Sequence, residues 1–493
     1  MRQRRLPWGL FLVLACQVAV TVPWILHRSV YGDEALYFWS GHLELSHWLH
    51  GTKIPAFPIS FSGAPIAYPP LSALAGSLAA SRALSCCFML ASTILLWLTT
   101  RRLFRSTWAA TAAAGLFVTL YPTMHLGSFA TFDALSLLLL VAAAYLGVLV
   151  AEEEAEWIVI CAAMLLAANV TKYASILWDP VVFALVALHS PSGRPSRATF
   201  RRAILVFLCW LGGLAIVVEL AGSYYLRGLA NTTLHRATGT TSPGVVLQSA
   251  LQWEGILVAL AIAGTLAAAF RRDGASRVLV CVVMTLAALF APLEQTHIHT
   301  LTSLNKHVAF GAWFAAAPAG YGVALALGAI TSRARHPGFA TACLAALLAV
   351  PLLALGLKQQ SNPAGESHSA FLVSRLKQLV TANHGKGLIL VDSAEVAHAY
   401  PTFAGPWNWR FARGVSAFGH GASGVQANLA MIKQHQFVLV ALRLRGLTKS
   451  QDHLYRRALS STRAYKLIGK VPFSGGVNGQ YLIWQLHRTG VRQ

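Results

Sequence analysis

The chain is 493 residues long, 56% hydrophobic and only 11% charged, with a mean hydropathy of +0.55 and a formal net charge of +22. A soluble chain carries about 25% charged residues, so most of this one is dissolved in lipid. Its basic residues stand in short clusters between apolar runs instead of covering one soluble face, which is the positive-inside pattern and argues against nucleic acid as a partner.

At the N-terminus, Arg2, Arg4 and Arg5 precede an apolar run from Leu6 to Leu26. Val13-Leu14-Ala15-Cys16 imitates a lipoprotein cleavage site, but the run continues well past Cys16 and is long enough to span, so a retained anchor is expected. Eleven spans are predicted in all, near 7–26, 79–99, 107–124, 131–150, 157–171, 174–189, 203–222, 252–270, 276–292, 307–329 and 338–357. The fifth and sixth are short, and Thr171-Lys172-Tyr173 between them reads as a break. With eleven spans the arginines at 2–5, 101–105, 194–202, 271–277 and 333–335 share one side, the cytoplasm. The acidic turn at 152–156 is the exception. It reads as a solvated loop that opens the next helix near its positive end.

This topology describes a multi-pass protein of the cell (inner) membrane with a cytoplasmic N-terminus. Segments 27–78, 223–251, 293–306 and everything after about 358 then lie outside. The expected domains are a membrane domain over 1–357 and an extracytoplasmic domain over 358–493. In the first outer loop, Leu43 to Leu49 suggests short interfacial helices, with Trp39 and Trp48 at headgroup depth. The C-terminal region reads as a small α/β domain. Strands are expected at 387–392, 437–442, 465–471 and 480–486, and helices at 425–433 and 449–461, with a turn at Ser474-Gly475-Gly476 joining the last two strands. This region carries 17 Lys and Arg against 4 Asp and Glu, which suits anionic headgroups or an anionic polymer as well as plain solubility. All seven cysteines lie in apolar runs and read as buried free thiols.

Four places carry candidate chemistry. The first is Asp33-Glu34, just past the first span, where adjacent carboxylates at a water–lipid boundary are costly unless used or paired. They suit a general base for an acceptor hydroxyl. Alternatively they position the loop, with Lys53 as an ion-pair partner; Lys53 and Tyr68, which opens Tyr68-Pro69-Pro70, are further substrate-binding candidates. The second is Asp133 at the start of the fourth span, either lining a site or stabilised by its helix dipole. The third is Lys172-Tyr173, where the lysine neutralises a lipid phosphate or snorkels. The fourth is the outer loop with Glu294, His297 and His299, followed by Lys306 and His307. Lys306 and His307 suit a phosphate. Glu294, His297 and His299 are weak metal candidates: His-x-His on a strand can bind a metal, but spacing alone is weak evidence. No cofactor is assigned from the sequence, and a divalent metal stays open. Asp179, mid-span, should face the bundle interior or pair, with Lys172 as one partner.

Asp33-Glu34, the Tyr-Pro-Pro ending, Thr131-Phe132-Asp133, Thr171-Lys172-Tyr173 and the Ser303 to Phe310 stretch recur in one order and on one side. Together they resemble the GT-C glycosyltransferases, over roughly residues 1–330. More narrowly, they look like the bacterial relatives of protein O-mannosyltransferases and of the aminoarabinose transferase, of the actinobacterial type. The resemblance implies a polytopic α-helical membrane enzyme with a GT-C-like fold. It implies transfer of a sugar from a polyprenyl-phosphate carrier to an acceptor hydroxyl on a lipid, glycan or protein at the outer face, usually with inversion. Asp33 would be the base. Lys172, with Lys306 or His307, would hold the carrier phosphate, and Asp133 would line the cavity. The short C-terminal domain and Asp179 depart from the pattern and leave the acceptor open. The competing readings are a lipid or solute transporter or flippase, against which no inverted repeat is visible, and a non-catalytic membrane partner.

Overall fold

A computed structural model describes residues 8–28, 30, 32–53, 67–152, 154–232, 238–332, 334, 337–361, 370–382, 387–392, 409–411, 424–443, 449–473 and 479–487. They fall into two compact units. One is built from described residues within Met1–Leu26 and Arg82–Asn362, the other from those within His27–Phe61, Pro65–Ser81 and Pro363–Gln493.

The first unit is a helix bundle. Its members are α1 (Trp8–His27), α4 (Leu78–Phe104), α5 (Thr107–Thr119), α6 (Tyr121–Ser128), α7 (Phe132–Ala151), α8 (Ile158–Thr171), α9 (Asp179–Leu188), α10 (Arg197–Thr232), α11 (Pro243–Phe270), α12 (Ala275–Leu286), α13 (Phe290–His297), α14 (Leu304–Thr331) and α15 (Pro337–Ser361). Helices occupy all eleven expected span positions. Among the described residues, seven stretches are long and apolar enough to cross a membrane by length and composition. The chain is thus a multi-pass membrane protein.

Where expectation and structure differ, local chemistry explains it. The third expected span breaks at Leu120 (φ −77°, ψ 137°), because Pro122 in the first turn of α6 presets a new helix start and offers no N–H to the old one. All eight residues of α6 are buried. The fifth and sixth spans are separated by extended Lys172 (φ −153°, ψ 108°) and a 3₁₀ turn, Tyr173–Trp178, with Pro180 opening α9. The bundle centre is dense. Trp178 stacks on Phe310 with centroids 5.1 Å apart and donates to the Ala287 carbonyl at 3.0 Å. Glycines let α11, α5 and α14 touch through their backbones: a Cβ on Gly264 would lie 1.9 Å from the Pro318 carbonyl oxygen, and one on Gly320 2.4 Å from the Ala113 nitrogen. Large apolar side chains such as Phe200, Leu208, Ile216 and Leu220 on α10 face outward, as lipid contact requires. Cys87 and Cys209 also lie on the outside, contrary to the expected burial of every thiol; Cys86, Cys161 and Cys281 are buried.

The second unit contains α2 (Gly32–His50), α3 (Tyr68–Leu74), α16 (Ala370–Ala382), β1 (Leu388–Val391), β2 (Trp409–Phe411), α17 (Gly424–Lys433), β3 (Phe437–Arg443), α18 (Lys449–Ser461), β4 (Tyr465–Phe473) and β5 (Gly479–Leu486). The segment expected as the first outer loop, 27–78, holds one 19-residue helix, α2, where short interfacial ones were expected, and it buries Trp39 while leaving Trp48 55% exposed. Against α2, α3 packs so closely that a Cβ on Gly41 would meet the Pro69 carbonyl oxygen at 1.9 Å. The sheet order is β2-β1-β3-β5-β4, parallel across the first three strands and antiparallel across the last three. Alternation sorts its faces. Ile389, Val391, Leu439 and Ala441 pack with Leu372 and Leu376 of α16, while Leu390, Val440 and Leu442 pack with Ile432 of α17 and Tyr455 of α18. The expected strands and helices are present, with β2 and α16 as additions. The turn expected at Ser474-Gly475-Gly476 lies outside the described residues.

Candidate active site

Three elements bring charge together at one end of the bundle. Thr131 is extended and starts α7, so Asp133 sits in its first turn, fully buried. The break after α8 turns Lys172 inward. Its ammonium donates to Asp133 Oδ1 and lies 5.2 Å from the centre of the Phe132 ring. From the first turn of α14, Lys306 Nζ reaches to 3.9 Å of Asp133 Oδ2. Both lysine side chains are at most 5% exposed. Two ammonium groups thus converge on one carboxylate away from water, where charges are stable only when paired.

The start of α14 spreads its polar residues over three neighbours. Ser303 precedes it in the left-handed region (φ +67°), which lets the chain turn sharply into the helix. Lys306 points to α7. Asn305 Nδ2 donates to the Tyr121 hydroxyl at 3.2 Å and lies 3.3 Å from His125 Nε2, both on α6. His307 Nδ1 is 3.3 Å from Gln295 Nε2 on α13, and Gln295 also donates to Glu294 at 2.8 Å. Tyr121 in turn lies 5.4 Å, ring to ring, from Trp253 on α11. The head of α14 is therefore a junction of α6, α7, α11 and α13. Its positive dipole end adds to the lysines and histidine there, which favours an anion.

The sequence candidates divide as follows. Asp133, Lys172, Lys306 and His307 come together. Tyr173 begins the 3₁₀ turn beside Lys172 and is half-buried. Asp179 pairs with Asn169, whose Nδ2 lies 3.3 Å from its Oδ1, and not with Lys172, because the 3₁₀ turn carries it back into the bundle. Asn169 also donates to Ser175 at 2.9 Å and accepts from Trp210 at 2.8 Å. The His-x-His pair does not lie on a strand: α13 ends at His297, and His299 follows in the left-handed region (φ +54°) with Nδ1 3.3 Å from the Thr241 carbonyl. No group of three or more His, Cys, Asp or Glu that could hold a metal occurs among the described residues. In the second unit, Asp33 and the fully buried Glu34 occupy the first turn of α2, Tyr68 is buried with its ring 6.5 Å from Tyr37, and Lys53 is exposed. Asn305, Tyr121, His125 and Gln295 join this cluster without having been singled out in the sequence. The available signal was polar side chains next to apolar runs near Lys306 and Pro122.

Residues 72–221, which include Asp133 and Lys172, match the family model for dolichyl-phosphate-mannose-protein mannosyltransferase. In fold, the chain is similar to ArnT from Cupriavidus metallidurans bound to undecaprenyl phosphate, with a TM-score of 0.60 at 13% identity over 98% of this chain and 99% of that one. The chain has the fold of ArnT over nearly its whole length. The apo state of the same ArnT gives a TM-score of 0.57 at 14% identity, over 96% of this chain and 97% of that one. The Archaeoglobus fulgidus oligosaccharyltransferase, crystallised with zinc and sulfate, gives 0.52 at 15% identity, over 96% of this chain and 72% of its own. Among curated protein sequences none matches. One segment thus matches a mannosyltransferase family model, and the whole chain shares its fold with these membrane enzymes.

Proposed function

We propose that the protein moves a sugar from a polyprenyl-phosphate carrier to an acceptor hydroxyl at the outer face of the membrane. The observation that carries this reading is the convergence of Lys172 and Lys306 on buried Asp133 at the head of α14. A carrier phosphate is an anion confined to headgroup depth. As a leaving group it gains charge, and preformed ammonium groups in a dry site stabilise that charge without reorganising. Lys172, Lys306 and His307 take the phosphate in this reading, and Asp133 fixes the lysines. Asn305, Tyr121 and His125 orient what enters beside them. ArnT with undecaprenyl phosphate supports a carrier of this class.

Asp33 is the proposed base, Glu34 its partner in the same turn, and Tyr68 and Lys53 the loop residues that steer substrate. Asp33 takes the proton of the acceptor hydroxyl, the acceptor oxygen attacks the anomeric carbon from the face opposite the phosphate, and the bond to the carrier phosphate breaks with inversion as that phosphate leaves. Residues 1–357 then form the catalytic membrane domain, with the N-terminus cytoplasmic and the domain from 358 onward outside in the inner membrane's outer compartment. The test is a transfer assay with purified protein in lipid, a panel of labelled polyprenyl-phosphate sugars, and native membrane extract as acceptor source. Asp33→Asn should abolish turnover while donor binding persists, and Lys172→Ala should weaken donor binding with little change in melting. Wild-type turnover by Asp33→Asn would remove the base assignment; no turnover of any donor would move the reading to lipid translocation.

A further inference from the structure

The other end of the bundle holds a cavity with about 170 Å³ of free volume. It lies where α4, α7 and α9 end and α12 begins. Arg102, Arg105 and Arg277 line it, with His189, Glu152 and Asp273. The two carboxylates are already engaged. Glu152 accepts from Arg102 and lies 3.2 Å from His189 Nε2. Asp273 accepts from the Tyr321 hydroxyl and lies 3.6 Å from Arg277 and 4.0 Å from Arg271. Arg105 is different. It is exposed, sits in the left-handed region (φ +52°) at the turn between α4 and α5, and makes no hydrogen bond or ion pair among the described residues.

Depth follows from helix length. The 20 residues of α7 rise about 30 Å, the thickness of the hydrocarbon layer. With Asp133 near one boundary, Glu152 and the cavity lie near the other. By sequence, the loops and helix ends that meet at this end (101–105, 152–156, 194–202 and 271–277) carry ten arginines against five acids. Guanidinium is the side chain that grips phosphate oxygens in pairs, and basic pockets between membrane helices hold anionic headgroups. We propose that this cavity binds a phosphate group at headgroup depth. The walls supply three guanidiniums, and the loop Ser190 to Gly193 closes one side, pinned by Ser276: Ser190 N donates to Ser276 Oγ at 3.0 Å, and Ser276 N donates to the Gly193 carbonyl at 3.1 Å. The volume suits one phosphate with a few waters and is too small for a nucleotide. The phosphate comes either on an anionic phospholipid of that leaflet or free in solution.

The experiment measures the melting temperature of the full chain in nanodiscs. One set contains only phosphatidylcholine, a second includes phosphatidylglycerol, and a third is phosphatidylcholine with inorganic phosphate added. Ligand that binds only the folded state raises Tm. Phosphatidylglycerol should raise the wild-type Tm by several degrees. Arg105→Gln/Arg277→Gln should lose most of that rise, whereas Arg201→Gln, an exposed arginine at the same end but outside the cavity, should keep it. Should the double variant not fold, Arg105→Gln alone removes no internal contact and must still lose part of the rise. A rise with inorganic phosphate as well identifies the free ion as a source; a rise with the lipid alone identifies the headgroup. The proposal is overturned if neither raises Tm, if the Arg105 variants keep the full rise, or if Arg201→Gln loses as much as they do.

Discussion

The two ends of α7 each hold a carboxylate against cations, and they solve the problem differently. Asp133 is fully buried, takes its partners from two lysines, and no residue of that cluster is more than 5% exposed. Glu152 is 21% exposed and is met by Arg102, 37% exposed, and by His189. Burial raises the pKa of Glu152, but hydrogen bonds from His189 and Arg102 and their charges outweigh it and hold the carboxyl below its ordinary value. Water can replace a lost partner at Glu152. At Asp133 it cannot, so the dry end has far more at stake in each charge.

The largest effect should therefore come from Asp133. Asp133→Asn leaves two buried ammonium groups without their carboxylate, and removing one partner of a buried pair costs about 3–5 kcal/mol. Melting in detergent should fall sharply, and transfer should drop with it. A loss under about 1 kcal/mol would show that water reaches this end and would collapse the contrast. Coupling sharpens it further. A double-mutant cycle of Asp133→Asn with Lys172→Gln should return more than about 1 kcal/mol, whereas the cycle of Glu152→Gln with Arg102→Gln should return about 0.2–1 kcal/mol, the range of partly exposed pairs. Equal values at both ends would refute the distinction.

A smaller effect tests the wet end by pH. Because the folded Glu152 carboxyl is held below its ordinary value of 4.5, its contribution is present above that value and is lost as pH falls through the folded one. Glu152→Gln should lower Tm slightly at pH 7 and not at all at strongly acid pH. A difference that persists in acid would assign the loss to packing instead of charge.

Single residues show what was legible beforehand. Asp133, Lys172, Lys306 and His307 stood out because ionisable groups beside membrane spans are rare, and the break at Lys172 was readable from the two short apolar runs. Their convergence was not readable, since it depends on α7, α8 and α14 packing side by side across more than 100 residues of chain. Asn305, Tyr121 and Gln295 were overlooked because uncharged polar groups at span ends carry little signal alone. Asp179 has Lys172 as one expected partner, but the 3₁₀ turn between them changes the facing and Asn169 takes that place. In the C-terminal unit, α16 was missed despite Leu372, Val373, Leu376 and Val380 at helical spacing. The three-residue β2 was too short to carry a pattern.

The last effect concerns a third carboxylate, a buried one that meets no cation among the described residues. Glu44 on α2 is 5% exposed, its Oε2 has no hydrogen-bond partner, and no cation meets it among the described residues. Burial pushes its carboxyl up to about 8, so it is neutral at pH 7. A raised folded value means that folding takes up a proton: the contribution is complete below the ordinary value of 4.5 and is lost as pH rises through about 8. Glu44→Gln replaces a neutral acid with a neutral amide of the same shape. It should leave Tm nearly unchanged at pH 5 and should melt higher than wild type at pH 9, where the wild-type residue must ionise in a dry place. Thermal melts of both proteins across pH 5–9 decide this. Parallel curves would mean that Glu44 has a cation after all and behaves like Asp133; diverging curves would show that, in this protein, a buried carboxyl without a lysine gives up its charge instead of being paired.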